Sequence, residues 1–279
     1  MKLFYYAAAA MTSAVFCSCD KQDEVTPPQP EIAPVHFVGV TTLDVVTHSE
    51  AKPYAADFNV FIHGVTAATK LVKYSADAWT VEGDPILVDR TGGTLVAWAP
   101  AALAVTTSAS GAEYTLTAQK DAAAQDLIYQ HQSVNAANAG AVAVEMGHAY
   151  SKLSFLATAG NGYTGAANLT QVQITGGIYA TGTLNMVDGK VDPVGTATLT
   201  LAAGEKALVI PMAGQPTIAV TCTIDGKEFT ANIKADTMPS LLAGVEYEIT
   251  LTVVGQEAVI SSVKEVPWTT TKVDGGTIF

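Results

Sequence analysis

The sequence predicts an all-β protein made of two tandem β-sandwich domains. Of its 279 residues, 49% are hydrophobic and only 14% are charged, whereas an ordinary globular chain is about a quarter charged. Short apolar segments rich in β-branched and aromatic residues recur between glycine-containing turn signals. The 245 residues from 35 to 279 are more than one sandwich of about 100 residues needs, so two domains are expected.

The strongest local prediction is a hairpin, because two alternating runs flank Asp225-Gly226, a pair that tolerates the positive φ angles of a type I′ turn. A helix is predicted only at 121–134, on its run of alanines. The join between the domains is expected near residue 145, where an Ala/Gly-rich stretch ends. The segments that carry the strand signal are 35–40, 58–63, 94–100, 113–117, 171–174, 197–201, 207–211, 217–224, 228–233, 246–253 and 259–263.

The first 18 residues have the features of an export signal. Lys2 is followed by an apolar run up to Ser18, which is too short for a membrane span. The pair Ser18-Cys19 resembles a lipobox, so a lipid on Cys19 is expected; a simple secretory peptide cleaved nearby is the alternative. The predicted organisation is a signal peptide at 1–18, an acidic and proline-rich tether at 19–34, an N-terminal sandwich at 35–144 and a C-terminal sandwich with its tail at 145–279.

Charge and cysteine content narrow the classes of function. The net charge is −12, from 14 basic and 26 acidic residues. Binding to nucleic acid or to an acidic membrane surface requires a cluster of basic residues, so this charge argues against both classes of protein. Cys17 would leave with the signal and Cys19 would carry the lipid. Cys222 then remains alone in an apolar alternation, so it is expected to be a small core residue and no intramolecular disulfide is predicted.

The common catalytic and metal-binding motifs are absent from the sequence. None of the five histidines stands four residues from another, and there is no Gly-x-Ser-x-Gly elbow or phosphate-binding loop. Acidic pairs such as Asp84 and Asp89 are expected to be loop carboxylates rather than calcium ligands. We therefore predict no catalytic residue, no metal, no cofactor and no enzyme activity. A hydrolase whose paired carboxylates meet only in the fold stays an open alternative.

Several segments together resemble one family. Residues 145–155, Glu-Met-Gly-His-Ala-Tyr-Ser-Lys-Leu-Ser-Phe, look like the His-Ala-x-Ser/Ala-Lys-Leu-x-Phe signature of the fimbrillins, the two-domain pilins of type V fimbriae and their Mfa-like relatives. The closing strands and the Val266-Pro267-Trp268 sequence are similar to that family's ending. The resemblance implies Greek-key-like, transthyretin-like sandwiches in a surface-exposed lipoprotein of the outer membrane of Bacteroidota. In it, His148 and Lys152 would be strand residues at the domain junction, and Trp268 a core anchor.

The resemblance also implies assembly by strand exchange. A protease, usually one that cuts after arginine, removes the lipidated N-terminal strand, and the tail of a neighbouring subunit fills the groove that is left. The alternative for the tail is that it folds back to complete its own sandwich. Two sets of residues are expected to carry the exchange, on the removable strand and on the donor tail: Phe37, Val38 and Val40, and Val273, Ile278 and Phe279.

The sequence departs from this pattern around the cleavage site. Its only arginine, Arg90, lies well inside the first domain, and Lys52 precedes a proline, which makes a poor bond for a trypsin-like protease. Both an anchor subunit that keeps its lipid and a stalk or tip subunit cut by another protease therefore stay open. Expected partners are other fimbrial subunits, the outer membrane through Cys19 and a receptor on a host or bacterial surface, with no nucleic acid.

The main alternative is a monomeric surface lipoprotein that binds a glycan or another ligand. Such a binder usually exposes aromatic side chains. Trp98 and Trp268 lie in apolar strand contexts, so they are expected to be buried, whereas Trp79 is the least committed tryptophan. This distribution favours the fimbrial subunit.

Overall fold

A computed structural model of the protein describes residues 31–43, 52–66, 68–214, 217–234, 236–238 and 240–268. Within these ranges no helix is long and apolar enough to cross a membrane. The first strands are β1 (Ile32–Pro34), β2 (Phe37–Thr42), β3 (Lys52–Pro53), β4 (Phe58–His63), β5 (Lys70–Ser75), β6 (Ala78–Val81), β7 (Leu87–Asp89), β8 (Gly93–Ala99), β9 (Thr106–Ser108), β10 (Gly111–Thr117), β11 (Gln119–Lys120), β12 (Ile128–Val134) and β13 (Val142–His148), with a short 3-10 helix (Ala139–Ala141) before β13. The later strands are β14 (Ser151–Ala159), β15 (Leu169–Gly176), β16 (Thr181–Asn185), β17 (Val191–Val194), β18 (Leu199–Ala202), β19 (Ala207–Val209), β20 (Met212–Ala213), β21 (Ile218–Ile224), β22 (Lys227–Ile233), β23 (Ser240–Leu241), β24 (Glu246–Val254) and β25 (Glu257–Val266).

The first core lies on one face of an eight-stranded sheet. The strand order of this sheet is β3-β2-β13-β12-β8-β4-β5-β6, and β2 runs parallel to β13. Alternate residues of its interior strand β4, Phe58, Val60 and Ile62, are buried in this core, as the period of two in a strand requires. The two-stranded ribbon of β1 and β7 contributes Ala33 and Val88 to the same core.

The second core lies between a five-stranded sheet, β11-β19-β14-β24-β25, and a four-stranded sheet, β18-β15-β21-β22. The hairpin prediction is confirmed: Ile224 lies opposite Lys227, and the turn residues Asp225 and Gly226 have φ angles of 50° and 75°. Cys222 is a buried, free thiol in this core, as its apolar alternation predicts.

A third core joins strands from the two halves of the chain. β10 pairs with β16, and Leu116 and Leu184 from these strands pack with Trp98 from the eight-stranded sheet. Tyr150 and Trp268 are buried in the same cluster. The first two cores draw their residues from 33–146 and 153–258; a division into two domains at residue 145 stays a prediction.

The structure confirms the all-β, sandwich-type fold and corrects one element. The helix predicted at 121–134 is wrong, because residues 128–134 form β12, which pairs along its whole length with β8. Only the alanine-containing stretch before β12 forms a turn, in which the Gln125 N–H donates to the Ala122 carbonyl at 2.9 Å. A few alanines favour a helix weakly, and the sheet contacts of Ile128 to Val134 override that preference.

Candidate functional site

The N-terminal residues 31–43 are bound to the fold by main-chain hydrogen bonds. β1 pairs with β7, and β2 pairs in parallel with β13. Between the two strands the His36 N–H donates to the Ala139 carbonyl at 2.8 Å, and after β2 the Leu43 N–H donates to the Met146 carbonyl at 2.9 Å. This segment therefore completes two sheets whose other strands come from later in the chain.

Two of the three strand-exchange residues predicted on this segment are buried. Phe37 is 8% exposed and contacts Phe58 edge-to-face, with ring centroids 5.3 Å apart. Val40 is 1% exposed, whereas Val38 is 61% exposed and points away from the first core. In this segment the side chains that hold β2 to the sheet are thus those of Phe37 and Val40.

Two further residues, Ala33 and Val35, continue the buried surface toward the N-terminus. The Val35 N–H donates to the Ile86 carbonyl at 2.9 Å. Ala33 lies in β1, inside the stretch expected to be a tether, and sequence reasoning missed it. Residues 31–33 lie between Pro30 and Pro34, and a segment this short has almost no sequence signal for a strand. The strand forms because it pairs with β7.

Trp268, the last described residue, is fixed by side chains from β13, from β14 and from the loop between β11 and β12. Its Nε1–H donates to Asp126 Oδ2 at 3.1 Å, and its ring stacks on the imidazole of His148 at 4.1 Å between centroids. Lys152 Nζ lies 4.1 Å from the centroid of the Trp268 ring. His148 Nδ1 lies 2.9 Å from the same Asp126 oxygen, which makes an ion pair when the imidazole is protonated. The structure confirms Trp268 as a core anchor.

Two partly or fully buried lysines form close ion pairs with carboxylates. Lys152 has a fully buried side chain, and its Nζ lies 2.9 Å from Asp121 Oδ2. Lys206 Nζ lies 2.6 Å from Glu246 Oε1, with the Glu246 side chain buried. A buried charge is tolerated when it is paired, and removing one partner is strongly destabilising. His148 lies in β13 and Lys152 in β14, so both are strand residues as the signature implied; their place at a domain junction stays a prediction.

Two buried groups have pKa values shifted away from nucleophilic reactivity. The Tyr150 hydroxyl accepts hydrogen bonds from the Thr117 N–H at 3.2 Å and Gln119 Nε2 at 3.3 Å, and burial raises its pKa. Burial also raises the pKa of the Cys222 thiol to about 11. Both groups stay protonated near neutral pH, whereas activated nucleophiles have lowered pKa values. In the described ranges no three His, Cys, Asp or Glu side chains cluster as a metal site would need.

The tryptophans lie where their sequence contexts predict. Trp98 and Trp268 are buried. Trp79 is half-buried and packs against Tyr74 with ring centroids 5.0 Å apart. The other predicted site residues, Cys19, Val273, Ile278 and Phe279, lie outside the described residues.

Comparison with known proteins now identifies the family. The family model described as fimbrillin-like matches residues 38–268, which include most of β2, the 145–155 signature and Trp268. The chain belongs to the fimbrillin-like family. The family resemblance carried by the 145–155 segment and the closing strands is thus confirmed.

Solved structures share the fold of this fimbrillin-like chain. A candidate cell adhesion protein from Bacteroides uniformis is 20% identical, with a TM-score of 0.60 over 85% of this chain and 98% of that one. A second, from Bacteroides ovatus, is 16% identical, with a TM-score of 0.58 over 86% of this chain and 99% of that one. No curated protein matches the sequence. At these identities the likeness is one of fold.

Proposed function

We propose that this fimbrillin-like protein is a structural or anchor subunit of a cell-surface fimbria and that it assembles by strand exchange. The observation that supports this most strongly is the N-terminal segment 31–43, which fills an apolar groove and is followed in sequence by the short connection 44–51. A strand near a chain end that covers part of a core is a natural unit to exchange between subunits.

Loss of this segment would leave both unpaired main-chain groups and an apolar surface. β13 would lose its parallel partner β2, and β7 would lose β1. Phe58, which contacts the Phe37 ring, would face solvent. An exposed strand edge next to an apolar groove accepts an incoming strand, with main-chain hydrogen bonds giving affinity and alternate side chains giving register.

The C-terminal residues 269–279 are the proposed donor. They end in Ile278 and Phe279 after Gly275-Gly276, and Val273 lies between Trp268 and these glycines. Adjacent residues of a strand point to opposite faces, so Ile278 and Phe279 would place one side chain in the groove and one at its rim. A glycine pair permits the bend that a departing tail needs.

The fold argues against Arg90 as the processing site. Arg90 lies between β7 and β8, so a cut after it would detach β4 from its own chain. β4 pairs with both β5 and β8 in the eight-stranded sheet, and its Phe58, Val60 and Ile62 are buried. Processing would instead fall in 44–51, which holds no lysine or arginine, and would require a protease of other specificity. A subunit that escapes it keeps the lipid on Cys19 and serves as the anchor.

Membrane attachment and partners follow from the same proposal. The lipid on Cys19 would hold the chain on the outer membrane, exposed at the surface. Twelve residues separate Cys19 from Ile32, so the tether could hold β1 up to about 40 Å from the lipid at roughly 3.3–3.6 Å per residue. The partners are other fimbrial subunits, and adhesion would involve a receptor on a host or bacterial surface.

Deletion of residues 273–279 tests the proposal. A donor tail contributes to the neighbouring subunit, so the melting temperature of the monomer should stay the same while polymerisation stops. The paired substitution Ile278→Asp and Phe279→Asp, which keeps the chain length, should have the same effect; Thr270→Ser is the matched control that should polymerise normally. Fibres are counted by electron microscopy. A truncated chain that unfolds would place the tail in its own domain, and one that enters fibres normally would exclude the tail as donor.

A further inference from the structure

Trp268, which precedes the C-terminal residues 269–279 in sequence, is fixed by side chains rather than by sheet pairing. Trp268 contacts Asp126, His148 and Lys152. We propose that these four side chains, the tail anchor, position the root of the donor tail. This inference rests on the proposed strand exchange and adds the residues that set where the donor begins.

The tail anchor combines three kinds of contact on one ring. The indole N–H donates to a carboxylate at 3.1 Å, and hydrogen bonds to charged groups are stronger than neutral ones. The Lys152 ammonium lies 4.1 Å from the ring centroid and has a fully buried side chain, where a cation–π contact exceeds its value in water. The stacked imidazole of His148 covers the ring at an interplanar angle of 20°.

The strand before the anchor has few other means of holding its end. β25 is the outermost strand of its five-stranded sheet and pairs with β24 there, ending where Val266 lies opposite Glu246. The end of an edge strand opens locally at low free energy. Because Trp268 follows two residues after Val266, its burial closes the end that would otherwise fray.

A fixed root limits the reach of the donor. From Trp268 to Phe279 there are eleven residues, which span at most about 40 Å when extended. If the end of β25 frayed, the donor would begin earlier in the chain and more conformational freedom would be lost on docking. Pre-organised segments bind better because they lose less of this freedom. The anchor thus favours exchange without touching the acceptor subunit.

Hydrogen exchange on the full-length monomer tests the anchor directly. Trp268→Phe keeps an aromatic ring but removes the N–H to Asp126, and Trp268→Ala removes the whole contact. We expect amide exchange in 257–268 to rise about tenfold or more in Trp268→Ala and less in Trp268→Phe, with the β21–β22 hairpin unchanged. Trp79→Phe is the matched control, since its Nε1–H is buried without a hydrogen bond to any described residue. Exchange in 257–268 that is equal in all three variants overturns the anchor.

Polymerisation rates, measured well below every melting temperature, separate the anchor from the proposed function. We expect Trp268→Ala to polymerise at least about tenfold more slowly than Trp79→Phe although its residues 269–279 are intact. If deletion of 273–279 stops polymerisation but Trp268→Ala assembles at the wild-type rate, the positioning role is overturned and strand donation stands. If the deletion variant polymerises normally, strand donation fails, and the exchange data alone then decide whether Trp268 holds the end of β25.

Discussion

Replacement of Phe37 by alanine tests how strongly β2 is held in the first core. Phe37 is 8% exposed and makes an edge-to-face contact with Phe58 at 5.3 Å. Truncating a buried phenylalanine costs about 3–5 kcal/mol, which already includes the loss of the aromatic pair. At about 2–4 °C per kcal/mol for a chain of 150–250 residues, the melting temperature of the uncut protein should fall by roughly 6–20 °C.

The neighbouring Val38 provides the control on the same strand. It is 61% exposed, so Val38→Ala should change the free energy of unfolding by no more than about 0.5 kcal/mol. Both variants are compared by calorimetry before and after removal of the segment 1–43. After removal the two should melt together with the processed wild type, because the altered residue is gone. Equal melting temperatures before removal would refute the packing of Phe37.

Two further predictions concern lipid attachment and acid stability. Cys19→Ala should abolish labelling by a fatty-acid analogue, and label retained on the variant would exclude Cys19 as the lipid site. Asp225 accepts a hydrogen bond from the Tyr163 hydroxyl at 2.6 Å, which holds the pKa of the Asp225 carboxyl below its usual range. A lowered pKa in the folded state stabilises above about pH 4, the ordinary value, and this stabilisation is lost as pH falls through the lowered pKa. Asp225→Asn keeps a residue that tolerates positive φ, so it should lower the melting temperature at pH 7 and have a smaller effect near pH 2; a difference that acid leaves unchanged would contradict the prediction.

The features predicted correctly from the sequence are those that depend on neighbouring residues. The turn at Asp225-Gly226 follows from backbone preference at two positions, and the burial of Cys222 follows from the alternation around it. The helix at 121–134 failed because a local preference was weaker than sheet pairing. The contact between Asp126 and Trp268 joins residues 142 positions apart, and no spacing rule relates them.

Three polar residues of the 145–155 signature have a common structural task. His148, Tyr150 and Lys152 recur at every second position, and each contacts a residue of the stretch 117–126. His148 approaches Asp126, the Tyr150 hydroxyl accepts from the Thr117 N–H, and Lys152 pairs with Asp121.

The side chains in these contacts are largely buried, and a buried charge that loses its partner is costly. The signature thus binds residues 117–126 to β13 and β14. Three residues of this region, Asp126, His148 and Lys152, also contact the Trp268 ring. A motif that contains a histidine and a lysine would otherwise suggest catalysis. Here Lys152 is paired with Asp121, and the His148 ring stacks on Trp268, so both side chains have a structural contact.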